Sequence, residues 1–272
     1  MQPGTQTAAV SKNALWTGYV ISALPALFLL LDAVFKLLKP APVVETTVQL
    51  GYPESVILPL GIVLLACTLV YMIPRTSMLG AILLTGYLGG AVATHVRISN
   101  PLFTHTLFPI YVGALVWGGL FLRDDRLRGL IPLQSATDLQ SGAQPASGSK
   151  KTLWAGRIIS ALPVLALLFS GVLKLAKPAP VVEEFGRLGY AESAALTIGI
   201  LELGSTIVYL IPRTSVLGAI LMTGYLGGAV ATHVRIGDPF FNVFGPILFG
   251  AMAWGGLYLR DERMRALIPL RS

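Results

Sequence analysis

The sequence predicts an all-α integral membrane protein, two tandem four-helix transmembrane bundles with eight spans, arranged as a parallel repeat. Three observations carry this. One stretch occurs twice: Ile73–Ile98 reads IPRTSMLGAILLTGYLGGAVATHVRI, and Ile211–Ile236 departs from it only at Met78/Val216 and Leu84/Met222. Between its Pro-Arg-Thr-Ser opening and its His-Val-Arg close, the stretch holds about twenty apolar or small residues and no charge; at about 1.5 Å rise per residue it matches a bilayer core of roughly 30 Å. Finally, only 12% of the 272 residues are charged and the mean hydropathy is +0.72. Soluble domains carry about 25% charge, so this composition suits lipid.

Internal repeats decide the architecture. At an offset of 138, Trp16 falls on Trp154, Pro25 on Pro163, Lys36 on Lys174, Tyr52 on Tyr190 and His95 on His233. The offset becomes 137 before Pro109/Pro246 and stays so through Trp117/Trp254. Copy 1 therefore covers 12–133 and copy 2 covers 150–270, with one extra residue in the first.

Span one is Trp16–Leu38 in copy 1 and Leu153–Leu175 in copy 2. The leading MQPGTQTAAVSK lacks a signal peptide's order of charge, short apolar run and cleavage site, so Trp16–Leu38 is expected to remain as a span. Lys39–Tyr52 and Lys177–Tyr190 mix prolines, apolar residues and charges; each reads as a short amphipathic piece at the membrane interface. Span two is Val56–Ile73 and Ala194–Ile211, led by Glu54 and Glu192, whose carboxylates suit the positive end of a helix. Span three is Ser77–Val96 and Ser215–Val234. Its Gly86 and Gly90, and Gly224 and Gly228, share a helix face where a neighbouring backbone can come close. Span four is Thr106–Leu122 and Val243–Leu259. Residues 134–149, QSATDLQSGAQPASGS, read as a flexible linker long enough to let the copies lie side by side as a pseudo-dimer.

Four spans is an even number, so both copies enter the membrane the same way round, related by an axis along its normal. Thirteen Lys and Arg lie on the side of both termini (among them Arg75, Arg123, Arg157, Arg213 and Arg260), against seven on the other (Lys36, Lys39, Arg97, Lys174, Lys177, Arg187 and Arg235). This asymmetry makes both termini cytoplasmic. The net charge of +7 has the same origin. No basic cluster interleaves with aromatics, which argues against nucleic acid.

The polar groups inside the spans are few. Glu202 sits midway along span two of copy 2, and Asp32 in span one of copy 1, four residues before Lys36. An ionised acid at the bilayer centre costs about 2.5–3.5 kcal/mol, so each is expected to face the bundle interior or a wet cavity. The copies disagree here: Ser170 aligns with Asp32, and Leu64 with Glu202. Two readings stand for Asp32, an i,i+4 ion pair with Lys36 or a site of its own. His233 and Arg235 end span three beside Thr232. An imidazole titrates near working pH, and a guanidinium fork suits a carboxylate, phosphate or carbonyl oxygen. Span two runs inward and span three outward, which puts Glu202 about 8 Å deeper than His233. Glu202, His233, Arg235, Thr232 and Lys174 are thus expected to form one polar pocket open to the outer face, suited to an amphipathic or quinone-like ligand. Asp32, Lys36, His95 and Arg97 offer a less complete set in copy 1. With one Cys and three His scattered over the chain, no metal or haem ligation is expected.

Each copy resembles DoxX-like membrane proteins. The resemblance rests on SGVLKL (Ser170–Leu175), Gly189-Tyr-x-Glu192, GILEL (Gly199–Leu203), IPRTSVLGAIL, YLGGAVATHVR (Tyr225–Arg235) and WGGLYLRDERMRALIP (Trp254–Pro269). It implies a four-helix bundle in a bacterial cytoplasmic membrane, here fused in tandem. Some relatives are linked, as a small membrane subunit, to quinone-coupled sulfur oxidation. Copy 2 fits the pattern; copy 1 departs from it at Asp32 and Leu64. Three functions follow as expectations: a membrane subunit or binding module for a quinone-like molecule acting with a soluble redox partner, a small-lipophile isomerase or reductase using a Glu/His pair, or a transporter.

Overall fold

The computed structural model describes residues 12–124, 127, 150–261, 264 and 265. The linker 134–149 and the far ends of both copies, 128–133 and 266–270, lie outside the described residues, as do Arg126, Arg128, Arg263 and Arg271. Copy 1 contains α1 (Lys12–Leu38), α2 (Ala41–Gln49), α3 (Ile57–Met72, preceded by a 3-10 turn over Glu54–Val56), α4 (Ser77–Arg97) and α5 (Phe108–Arg123). Copy 2 contains α6 (Lys150–Ala176), α7 (Ala179–Arg187), α8 (Glu192–Leu210), α9 (Ser215–Ile236) and α10 (Phe240–Arg260). Among the described residues, eight helices are long and apolar enough to cross a bilayer, and α2 and α7 are the short pieces between spans one and two. Large apolar side chains such as Phe35, Leu165, Phe169 and Phe241 are exposed along the spans, as a lipid solvent requires.

The local chemistry repeats. Lys39 and Lys177 adopt left-handed φ values of 49° and 48°, which ends span one, and the following proline starts the short helix. The Pro-Arg-Thr-Ser turns are pinned by Thr76 and Thr214, whose hydroxyls donate to the Val70 and Val208 carbonyls at 2.8 Å. Gly80 and Gly218 then lie directly on the Tyr71 and Tyr209 backbone, so spans two and three meet closely at the turn. The extra residue of copy 1 is absorbed in a π-helical turn over Leu102–Thr106. There the Thr106 and Leu107 amides reach back five residues, to the Pro101 and Leu102 carbonyls at 3.2 and 2.8 Å. Without the insertion, α10 starts directly at Phe240.

In each copy the first span packs on the second and fourth, and the third closes the ring: α1 on α3 and α5 with α4 between them, and α6 on α8 and α10 with α9 between them. The indoles of Trp117 and Trp254 donate to Thr85 and Thr223 at 2.8 Å, tying span four to span three. Between copies, α4 lies against α9. Gly89 meets the Gly224 backbone, Gly227 meets that of Gly86, Gly90 faces Ala231, and Gly228 faces Ala93. These pairs advance together along both helices, so α4 and α9 run parallel. Side chains this small let two backbones touch and gain dispersion energy where lipid offers no hydrophobic drive.

A methyl at Gly227 would overlap the Gly86 carbonyl, whereas one at Gly204 of α8 meets open space. Gly227→Ala is therefore expected to destabilise the protein by about 1–3 kcal/mol. Gly204→Ala is expected to be neutral or to stabilise by up to about 1 kcal/mol through helix propensity. Thermal unfolding in detergent, followed by far-UV circular dichroism, checks both.

Candidate functional site

The site in copy 2 starts from two glycines. Gly171 of α6 and Gly199 of α8 have no side chains to hold the helices apart, so the Lys174 stem runs over Gly199 and Leu203 packs on Gly171. That register brings Lys174 Nζ to 2.8 Å from Glu202 Oε2. The ammonium also donates to the Ser170 hydroxyl, one turn earlier on its own helix. Glu202 is 1% exposed and the Lys174 side chain 16%, so this is an ion pair inside the bundle. Ser205 and Thr206 return their hydroxyl protons to the Glu202 main-chain carbonyl at 2.9 and 2.7 Å, which leaves the carboxylate to Lys174 and the cavity.

That cavity has a volume of about 410 Å³ and lies between α6 and α10, over α9. Its polar wall is Ser170, Lys174, Glu202, Tyr225 and His233; its apolar wall includes Leu167, Leu226, Pro246, Phe241 and Phe249. Glu202, His233 and Lys174, grouped by the sequence, line this one space.

At the mouth, His233 is held by a residue the sequence reading missed. Gly237 takes a left-handed φ of 69°, and the Asp238 amide turns back to the His233 carbonyl at 3.0 Å, a Schellman turn. Asp238 Oδ2 then sits 2.6 Å from His233 Nδ1. A carboxylate only accepts, so Nδ1 carries the proton. Arg187 of α7 grips the same carboxylate at 2.7 and 3.0 Å and also binds Glu184 at 2.6 and 2.8 Å. Arg187 first, and His233 second, hold the Asp238 carboxyl far below the usual carboxylate range; Arg187 lowers Glu184 as well. The legible signal was His-Val-Arg-Ile-Gly-Asp, a helix end with its glycine stop and an acid one residue on.

Thr232 and Arg235 go elsewhere. Successive helical residues turn by about 100°, so neighbours of His233 in sequence cannot share its face. Thr232 bonds Tyr190 Oη at 2.9 Å, and that phenol donates to the Ala93 carbonyl of copy 1 at 3.2 Å. Thr94 and Tyr52 repeat the pair at 2.9 Å, and Tyr52 reaches the Ala231 carbonyl at 3.5 Å. Burial pushes both phenols up, which keeps them donors. Arg235 donates to the Leu188 carbonyl at 2.5 Å and Arg97 to the Leu50 carbonyl at 2.7 Å. Both guanidiniums lie against Gly51 and Gly189, whose φ values of 82° and 72° end the short helices there. Thr232, Arg235 and their copy 1 counterparts Thr94 and Arg97 thus lie at the contact between copies, not in the cavity.

Compared with known families, the chain matches the DoxX-like family profile twice, over residues 20–119 and 158–256. The chain belongs to the DoxX-like family. Curated proteins and solved structures gave no match.

The two DoxX-like units differ at the site itself. Leu64 stands at the register of Glu202 and is fully buried. Lys36 passes over Gly61 as Lys174 passes over Gly199, then pairs with Asp32 on its own helix. Phe28 and Phe108, at the registers of Ala166 and Gly245, meet edge to face with centroids 5.4 Å apart, filling space that copy 2 leaves open. His95 bonds Asn100 at 2.8 Å in place of an aspartate, and its ring lies 5.8 Å from that of His105, a residue of the inserted π turn.

Removing one partner of a buried ion pair strands the other charge. Glu202→Leu is expected to cost about 3 kcal/mol, and adding Lys174→Met to recover most of it. Chemical or thermal unfolding of the two single variants and the double variant checks this. Asp238 has a folded pKa below its unfolded value of 3.8, so its contribution is present above that pH and is lost as pH falls through the folded value. The stability difference between the native chain and Asp238→Asn should shrink as pH falls below about 4.

Proposed function

We propose that copy 2 binds a lipophilic, quinone-like molecule and that the protein is a membrane subunit of a redox-linked process, working with a soluble redox partner. The observation that carries this reading is the shared cavity: a buried ammonium, a carboxylate and an imidazole converge in a space otherwise walled by apolar and aromatic side chains. A lysine ammonium has three donors; Ser170 and Glu202 engage two, and the third suits a ligand carbonyl oxygen. Phe241, Phe249 and Tyr225 suit a flat ring. His233 Nε2, oriented by Asp238, stands where a proton would pass between ligand and water.

The wider reading places the protein in a bacterial cytoplasmic membrane with both termini cytoplasmic, supported by the thirteen-to-seven split of Lys and Arg. The cavity mouth then faces outward. Units 12–133 and 150–270, joined by 134–149, act as a pseudo-dimer in which copy 1 is the structural half. The glycine contacts and Tyr–Thr bonds between α4 and α9 support that division of labour, as does the phenylalanine pair in copy 1.

Mass spectrometry of small molecules retained by the purified protein is expected to find a quinone. Titration with a short-chain quinone, followed by tryptophan fluorescence, should show Glu202→Gln and His233→Gln each weakening binding about tenfold, or about 1.4 kcal/mol. Ala166→Phe, which places the copy 1 residue in the cavity, should abolish binding. Undiminished binding by Ala166→Phe would refute the site.

A further inference from the structure

A second cavity, of about 280 Å³, lies at the opposite end of copy 2 from His233, between α6, α8 and α10. Arg157, Ser160, Tyr209 and Arg260 line it, and buried Val164 and lipid-facing Leu165 continue it along α6. The hydroxyls there are spent: Tyr209 donates to the Ala253 carbonyl at 2.8 Å, and Ser160 bonds the phenol at 2.9 Å. The cations are not. Arg260 lies over the Tyr209 ring, 4.8 Å from its centroid, and its Nη2 is buried with no hydrogen-bond partner. Arg157 stacks 5.5 Å over the Trp154 ring. Neither guanidinium meets a carboxylate among the described residues.

Copy 1 shows the same frame with a phenol over its cation, Arg123, whose Nε and Nη2 are also buried without a hydrogen-bond partner. Tyr19 stands at the register of Arg157, and Arg123, the counterpart of Arg260, is clasped between Tyr19 and Tyr71 at 5.6 and 5.4 Å. A phenol there covers the lone cation; an arginine there makes a pair of cations above an apolar groove that opens on lipid. Two guanidiniums suit the oxygens of a phosphodiester, and the groove suits the start of an acyl chain. We infer that this end of copy 2 is a binding site for an anionic phospholipid. The site is independent of the Glu202 cavity and of its ligand.

The test is native mass spectrometry of the full chain after exposure to equimolar phosphatidylglycerol and phosphatidylcholine, with glycerol phosphate as a soluble competitor. The expected result is selective retention of phosphatidylglycerol that glycerol phosphate does not displace. Arg157→Tyr is exposed and copies copy 1, so it should fold, and it should lower retention roughly fivefold; Arg260→Gln should do the same. Tyr19→Arg should add a second retained lipid. Equal retention of the two lipids, or retention unchanged in Arg157→Tyr, would overturn the inference. Full displacement by glycerol phosphate would also overturn it, since the site would then serve a free anion. Should Arg260→Gln not elute as a folded species by size exclusion, Arg157→Tyr alone decides.

Discussion

Inside a bilayer there is no water to hold a charge, and that constraint explains more of this molecule than any other. Each copy places a lysine near the end of its first span, and each must give that ammonium a partner within the protein. Copy 2 finds it across helices, in Glu202 of α8; copy 1 finds it along the helix, in Asp32. The second solution leaves span two without a charge, with Leu64 packed in the core. The first draws a carboxylate to mid-membrane depth and keeps a polar wall there. One repeat thus carries a polar-walled cavity and the other the same scaffold without the buried acid in span two.

Several other differences between the copies bear on the same cavity. Phe28 and Phe108 occupy volume that Ala166 and Gly245 leave empty. Asn100 replaces Asp238, and Gln49 and Thr46 replace Arg187 and Glu184, so the charged cluster that orients His233 has no counterpart in copy 1. These five exchanges lie in or around one cavity; others, such as Thr17/Ala155, Tyr19/Arg157 and Pro59/Thr197, lie elsewhere along the spans.

The least changed segment is the one with two neighbours to satisfy. Span three packs within its own bundle and also against its twin, and each of its contacts across α4 and α9 occurs in reciprocal form, Gly89 on Gly224 and Gly227 on Gly86. A side chain added on either helix would push on both backbones. The two positions that do differ, Met78/Val216 and Leu84/Met222, are buried apolar exchanges that keep the packing.

Much of this was legible in the sequence. Hydropathy and length determined eight spans, the repeat determined two like-oriented bundles, and the cost of an intramembrane charge singled out Glu202. The glycines of span three marked a close helix contact, though not which helix would fill it. Only the tertiary structure decided who partners whom: Lys174 with Glu202, Asp238 with both His233 and Arg187, and Thr232 and Arg235 with Tyr190 and the Leu188 carbonyl, beside the neighbouring copy rather than in the cavity. The physical reason is that hydropathy and spacing describe one helix at a time, its depth and its faces. A partner across helices depends on how each helix is rotated and how near its neighbour comes, and small residues such as Gly171 and Gly199 set that only once the helices are packed.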